Sequence, residues 1–333
     1  SKEPISYGNI RNSVEVDSKT ESNNKVENGD IVFVRSSEVR NEVGWAKAYL
    51  ENEFALYSGF TIRGKKIFDF DAFFVELSIN GKNREQIESK AGGSTRFNVS
   101  QSILKSVVIS EPSLVEQKKI SAFFKQLDDT IALHLCKQQQ FESLKIRLIK
   151  EILPQNDSVL PRLRFANFNN PWEQHQLKEV LKINSGRDYK HLNEGVIAVY
   201  GTGGYMLSVD GKLSDVDGIG LGRKGTVDKP QYLRAPFWTV DTLFYLTPFP
   251  NYDIYFLFTL TQSINWKTMD ESTGVPSLSK AVIEKVTRTF PSFEEQKKIG
   301  SFFKQLDETI AHHQQKIDNM KSLKRALLNK MFI

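Results

Sequence analysis

Two long stretches of the chain carry a residue that is usually apolar at alternating intervals of four and three. In the later stretch these positions are Ile299, Phe303, Leu306, Ile310, His313, Ile317, Met320, Lys324, Leu327 and Met331. In the earlier stretch they are Ile120, Phe124, Leu127, Ile131, His134, Gln138, Phe141, Lys145, Leu148 and Ile152. This spacing is typical of the a/d seam of a coiled coil. We therefore predict two long helices, the first of which ends before Pro154, since proline cannot continue a helix.

The two helices are copies of one sequence. Residues 112–134 (PSLVEQKKISAFFKQLDDTIALH) and residues 291–313 (PSFEEQKKIGSFFKQLDETIAHH) are identical at 17 of 23 positions, at a constant offset of 179 residues. Two apolar seams in one chain are expected to bury each other, which predicts an intramolecular antiparallel coiled coil. His134 and His313 occupy equivalent seam positions, and we interpret them as residues that set the register. A metal site or a pH switch is the alternative.

The segment before each helix has a different pattern. Short strand-like runs, such as Ile31–Val34, 196–200 and 237–240, recur among turns rich in glycine and asparagine. The predicted fold class is therefore α+β, with two mixed α/β domains separated by the two long helices. We place the first domain at residues 1–111, the first helix at 112–155, the second domain at 156–290 and the second helix at 291–333.

Composition narrows the class of protein. The net charge of +5 fits a polyanionic partner, although proteins that never bind nucleic acid often carry as much. The single cysteine, Cys136, cannot form an intrachain disulfide, which favours the reducing cytoplasm. No apolar run approaches the length of about 18 residues that a transmembrane helix needs, so no membrane partner is predicted.

The repeated helix starts resemble the specificity subunit of type I restriction–modification enzymes. The most specific signal is P-x-x-x-E-Q-K-K-I-x-x-F-F-K-Q-L-D-[DE]-T-I, which occurs twice. The run 160–165 (LPRLRF), followed by Trp172, is similar to the start of a target-recognition domain in that family. Glycine-containing segments at 29–37, 186–192, 200–204 and 222–226 are similar to recurring elements of such domains. The first domain has no counterpart of the 160–165 run, so we expect it to be incomplete at its N-terminus.

The resemblance, which covers essentially the whole chain, implies a DNA-binding subunit without catalysis. Each recognition domain would read one half of a split double-stranded DNA target, and the helices would set the unread gap. The implied partners are two methyltransferase (M) subunits, which use S-adenosylmethionine to methylate adenine at N6, and two restriction/translocase (R) subunits, which use ATP and Mg. No cofactor is expected on this chain. A type II recognition subunit and a coiled-coil scaffold or adaptor protein are the alternatives.

The glycine-rich segments lack the sequence context of catalytic motifs. Gly201-Thr202-Gly203-Gly204 follows an apolar strand but precedes another strand-like run, whereas a cofactor loop opens a helix. The sequence contains no G-x-x-x-x-G-K-[ST] segment and no Asn/Asp-Pro-Pro-aromatic segment, and its histidines and cysteine lack the spacing of zinc ligands. We therefore expect a chain that is not itself an enzyme.

Candidate DNA-contacting residues follow from the chemistry of DNA reading, which uses cations for phosphates and forked donors or amides for base edges. Arg223 and Lys224 lie within a glycine cluster, which predicts a tight turn that presents both cations to a phosphate; a solvated surface turn is the alternative. The candidates in the second domain are Arg187, Tyr189, Lys190, His191, Thr202, Arg223, Lys224, Lys229 and Gln231. Those in the first domain are Arg35, Ser36, Ser37, Arg63, Thr95 and Arg96.

Overall fold

The computed structural model describes residues 21, 23–154, 158–270, 272 and 274–332, which form two compact units. Unit 1 combines the chain up to Cys136 with the segment from Gln314 onwards, and unit 2 is Lys137–His313. Both unit boundaries fall inside long helices, because each helix contributes one half to each unit. The predicted start of the second domain at residue 156, and the first 20 residues of the first domain, lie outside the described residues.

Unit 1 is built around a small antiparallel sheet. Its strands are β1 (Lys25–Val26), β2 (Ile31–Val34), β3 (Ser36–Ser37), β4 (Ala46–Ala48), β5 (Ala55–Leu56), β6 (Thr61–Gly64) and β7 (Phe97–Asn98). Its short helices are α1 (Ala72–Asn80), α2 (Arg84–Glu88) and α3 (Gln101–Lys105), and the long helix α4 (Leu114–Ile152) begins here. The sheet order is β4-β2-β6, with the pairs β1–β5 and β3–β7 beside it. The alternating apolar residues of β2, Ile31 and Phe33, turn inward against Ile79 of α1.

Unit 2 is larger and contains more strands. These are β8 (Glu173–Gln176), β9 (Leu181–Ser185), β10 (Glu194–Gly201), β11 (Gly204–Val209), β12 (Gly218–Gly222), β13 (Gln231–Leu233), β14 (Phe237–Thr239), β15 (Leu243–Pro248) and β16 (Thr287–Phe290). The helices are α5 (Leu177–Val180), α6 (Ile254–Gln262), a 3-10 turn (Trp266–Met269), α7 (Lys280–Lys285) and the start of α8 (Phe293–Met331). The sheets run β13-β12-β15-β9, β11-β10-β14 and β16-β8.

Within each unit the long helices pack against one another in opposite directions. In unit 1 the rings of Phe124 on α4 and Phe332, just after α8, lie 6.3 Å apart, and Asp128 pairs with Lys324. In unit 2 the ring of Phe141 stacks on that of His313 at 5.7 Å. Within unit 1, a later residue of α4 contacts an earlier residue of α8, so the two helices are antiparallel. The predicted fold class is confirmed.

An equivalent hydrogen bond joins each long helix to the short helix that packs at its start. In unit 1 the backbone N–H of Asp71, which caps α1, donates to the side-chain oxygen of Gln117 at 3.0 Å. In unit 2 the N–H of Asp253, which caps α6, donates to Gln296 at 3.1 Å. Gln117 and Gln296 are separated by the repeat offset, so the repeat fixes a shared docking arrangement as well as two similar helices.

Candidate nucleic-acid interface

The turn after the central strand of unit 2 presents Arg223 and Lys224. Their backbone N–H groups donate to the carbonyl oxygen of Thr242 at 2.8 and 3.3 Å, and the carbonyl of Arg223 accepts from Leu278 at 3.0 Å. Gly225 closes the turn at φ +87°, a backbone conformation that favours glycine. Both cationic side chains are exposed. The backbone is thus fixed on two sides while the charges face outward.

Unit 1 repeats this arrangement around Arg35. Its N–H donates to the carbonyl of Phe60 at 2.9 Å, and its carbonyl accepts from the N–H of Val99 at 3.0 Å. Val99 and Leu278 are again 179 residues apart, and each precedes the serine that caps a short helix, α3 or α7. Both units therefore hold an arginine in the same backbone setting, immediately after β2 or β12.

Asp270 supports the turn of unit 2 through Ser277. Its Oδ1 accepts hydrogen bonds from the N–H of Ser272 at 3.0 Å, the hydroxyl of Ser272 at 2.8 Å and the N–H of Ser277 at 2.9 Å. The backbone donors lower the pKa of this carboxyl below its ordinary value. Ser277 in turn bridges to Lys224. Asp270 was not among the sequence-based candidates, although an aspartate two residues before a serine is a common turn former.

A groove beside the turn offers cations and hydroxyl groups together. It is lined by Ser185, Arg223, Lys224, Phe244, Ser277, Leu278, Ser279 and Lys280. No carboxylate is among these residues; Glu284 approaches Lys280 at 3.7 Å. Hydroxyl and ammonium or guanidinium groups are the usual donors to DNA phosphates. Lys280, Ser277 and Ser279 were absent from our sequence-based candidates.

The tip of the β10–β11 hairpin lies next to the turn. A Cβ on Gly225 would be 4.0 Å from the Thr202 hydroxyl oxygen. The Gln231 side-chain amide donates to the carbonyl oxygens of Gly201 and Thr202, both at 3.0 Å, so its NH₂ group stabilises the hairpin turn. Two exposed side chains on β11, Tyr205 and Met206, were not predicted. A two-stranded ribbon of this kind fits the major groove of B-DNA.

The remaining candidates of unit 2 divide into one cluster and one separate residue. Arg187, Tyr189, Lys190 and His191 follow β9, where the indole N–H of Trp238 donates to the Arg187 carbonyl at 2.9 Å and the His191 ring lies 5.8 Å from that of Trp238. Tyr189 is half-buried, and the other three side chains are exposed. Lys229 is exposed beside the ion pair of Asp228 with Lys267.

The candidate residues of unit 1 form one group of neighbours, and Arg63 lies apart from it. Strand pairing brings Arg35, Ser36 and Ser37 to the segment that carries Thr95 and Arg96, and the guanidinium of Arg96 donates to Ser36 at 2.8 Å. Arg63 is not part of this group. Its guanidinium pairs with the buried carboxylate of Asp30 and, at 3.2 Å, with Glu27, and its side chain is only 13% exposed. These contacts give Arg63 a structural partner within the fold.

We also searched the described residues for metal sites and for helices that could span a membrane. No group of three or more histidine, cysteine or carboxylate side chains in that part of the chain could hold a metal ion. None of its helices combines the length and apolarity that crossing a bilayer requires.

Comparison with known proteins places these features in a family. Residues 5–143 and 169–322 match the model described as the type I restriction modification DNA specificity domain. No curated protein sequence gives a significant match. Among solved structures, the S subunit of a type I restriction–modification system from M. genitalium is similar, with a TM-score of 0.67 and 17% identity over 92% of this chain and 84% of that chain. A structure described for complex assembly and conformational transition of the type I R-M system gives 0.56 and 16%, over 91% and 81%.

Proposed function

The chain belongs to the type I restriction modification DNA specificity family, and we propose from this that it is the non-catalytic subunit that directs adenine methylation and restriction to a bipartite DNA target. The observation that carries the proposal is the matched arginine turn, with Arg35 in unit 1 and Arg223 in unit 2. Two similar turns with different neighbours suit two half-sites of different sequence.

The chemistry around each turn supports contact with DNA. Arginine donates from a rigid fork, which suits a phosphate or the O6 and N7 atoms of guanine. In unit 2 the adjoining groove adds Lys224 and Lys280, and the hairpin tip adds Thr202 and Tyr205. Phosphate contacts position the protein, and side chains on the ribbon and turn contact base edges.

Catalysis is assigned to partner subunits. Two methyltransferase subunits would supply S-adenosylmethionine chemistry, and two restriction/translocase subunits would supply ATP-driven movement and cleavage. The related structure described for type I complex assembly supports this choice of partners. The long helices carry exposed apolar side chains, such as Val115, Phe123 and Ile146, that suit protein contacts.

Methyl transfer measured with and without the cognate methyltransferase subunit tests the proposal. We expect tritiated methyl groups to enter duplex DNA only when both proteins are present, at adenines within one split sequence. Methylation by the isolated chain would contradict the non-catalytic assignment. Phosphate contacts make log affinity for DNA fall with log salt concentration. An affinity for duplex DNA that does not depend on salt would therefore favour the scaffold alternative. Identification of a partner that both methylates and cleaves would instead favour the type II alternative.

A further inference from the structure

The tip of the β10–β11 hairpin in unit 2 has its backbone acceptors bonded and its backbone donors unbonded. The carbonyl oxygens of Gly201 and Thr202 both accept from the side-chain amide of Gln231 at 3.0 Å. No backbone group of the described chain accepts from the N–H of Thr202 or of Gly203. The tip therefore offers two donors to a partner outside the fold, while its acceptors are used within it.

The fold of unit 2 does not require a glycine at position 203. A Cβ on Gly203 would have no neighbouring atom within 4 Å, and its φ lies outside the left-handed region. The next residue differs, because Gly204 has φ +111°. Among the described glycines of unit 2, only Gly274 shares both properties of Gly203. Glycine is also used where the backbone must approach a ligand closely. The free space at Gly203 fits that use.

The position of the tip is fixed relative to the cationic turn. Strand β13, which carries Gln231, pairs with β12, and β12 leads directly into Arg223 and Lys224. One sheet therefore carries the cations and also the side chain that bonds to the hairpin tip. The Thr202 hydroxyl oxygen lies 4.0 Å from the position of a Cβ on Gly225, the residue that closes the turn. The unbonded donors are thus next to two cationic residues.

The chemistry of the tip suits an anion. Successive backbone N–H groups in a turn can form a concavity that binds anions. The hydroxyl of Thr202 adds a third donor, and the exposed side chains of Arg223 and Lys224 add positive charge nearby. Backbone N–H groups, hydroxyl groups and cations are the usual partners of DNA phosphates. Base edges carry no net charge, so the neighbouring cations favour a phosphate over a base at this place.

We propose that the hairpin tip binds one phosphate of the DNA backbone through the N–H groups of Thr202 and Gly203 and the hydroxyl of Thr202. Gly203 has no side chain in this arrangement because a Cβ there would keep the phosphate away from the donors. The proposal rests on the proposed function, since it assumes that unit 2 binds duplex DNA. It adds a contact made by the backbone, which the side chains of the cationic turn do not supply.

Substitution of single phosphates tests this contact in the full chain, bound together with its methyltransferase subunit to the split sequence that the complex methylates. The probe is that duplex with an uncharged methylphosphonate at each linkage in turn. Gly203→Ala should lower the affinity for the unmodified duplex by about tenfold, as expected for loss of a hydrogen bond to a charged group. Its thermal midpoint should not fall, because the added methyl group enters open space. At one linkage, the methylphosphonate should weaken binding of the parent chain and leave that of Gly203→Ala unchanged.

Gly274→Ala is the matched control, because it adds the same methyl group at another exposed glycine of unit 2 with open space around it. This variant should remain as sensitive as the parent chain to the methylphosphonate at that linkage. Full affinity of Gly203→Ala for the unmodified duplex overturns the proposal. A weakened Gly203→Ala that stays sensitive at every linkage also overturns it, since the tip would then approach a base edge. A parent complex that methylates no split sequence would instead overturn the proposed function, and the phosphate contact with it.

Discussion

The ammonium nitrogen of Lys145 on α4 lies 2.6 Å from a carboxylate oxygen of Asp307 on α8. The same pair recurs in unit 1, where Lys324 lies 2.6 Å from Asp128. Each lysine and each aspartate is related to its counterpart by the repeat offset of 179 residues. The heptad pattern places both lysines in the seam, so one ion pair in each unit joins the two helices at an otherwise apolar surface.

We predict that Lys145→Ala lowers the free energy of unfolding by about 1–2 kcal/mol, because Asp307 is left partly buried without its charged donor. Urea unfolding measures the change. Lys324→Ala is the matched control and should have a smaller effect, since its partner Asp128 is 38% exposed compared with 23% for Asp307. Equal losses would mean that burial does not set the strength of the pair.

Arg35→Ala and Arg223→Ala should relax recognition at different halves of the target. Each removes one guanidinium from an equivalent turn, at a cost of about 1–3 kcal/mol if it contacts a base. Sequencing of methylated DNA from cells that carry each variant reads out both halves. Loss of specificity in the same half by both variants would contradict the assignment of one half-site to each unit.

Arg223→Ala/Lys224→Ala should weaken DNA binding and reduce the salt slope by up to about two, one for each phosphate contact. Lys178→Ala/Lys182→Ala removes the same charge from exposed positions of unit 2 and serves as the control. Binding titrations at several salt concentrations distinguish the two variants. An equal change of slope in both would indicate that net charge, and not the turn, governs affinity.

Gly300→Ala should destabilise unit 2 by about 2–3 kcal/mol, although the same change within an ordinary helix is stabilising. A Cβ on Gly300 would lie only 2.1 Å from Oδ1 of Asp253, the oxygen that caps α6. At the equivalent position of unit 1, the hydroxyl of Ser121 donates to Asp71. Ser121→Ala therefore introduces no clash and should cost only the hydrogen bond, about 1 kcal/mol. Thermal unfolding of both variants checks this order.

Unit 2 should lose stability in alkali. Burial and hydrogen bonds to Asp217 and Asp307 raise the pKa of Tyr232 and Tyr255 above the ordinary value of 10.0. A raised pKa in the folded state means that these tyrosines stabilise unit 2 fully below pH 10.0 and progressively less above it. Tyr255→Phe should flatten the fall in unfolding free energy above that pH, whereas Tyr205→Phe, at an exposed position, should leave the curve unchanged.

The long helices were predictable because their pattern is local and repeated. Ile299, Phe303 and Ile317 are buried as the seam requires. The roles of individual polar residues were less accessible, because their partners are distant in sequence. Gln231 bonds to Gly201 across 30 residues, and Arg63 to Asp30 across 33, so neither contact leaves a local signal.

The glycine cluster illustrates the same limit. Its spacing predicts a tight turn, and a Cβ on Gly222 would lie 2.0 Å from the carbonyl oxygen of Thr226. The close neighbour is thus the protein's own turn. Sequence pattern identifies where a side chain is excluded, but only the folded chain identifies what excludes it.

The division of both long helices between the units has a consequence for the order of synthesis. Unit 2 is one uninterrupted segment, Lys137–His313, and can fold once that segment has left the ribosome. Unit 1 lacks its final part until Gln314–Ile333 emerges, since Phe332 supplies a ring that packs 5.3 Å from Phe74 and 6.3 Å from Phe124. Unit 1, which is translated first, is therefore completed last, and a nascent chain that ends before Gln314 leaves those aromatic side chains open to chaperones.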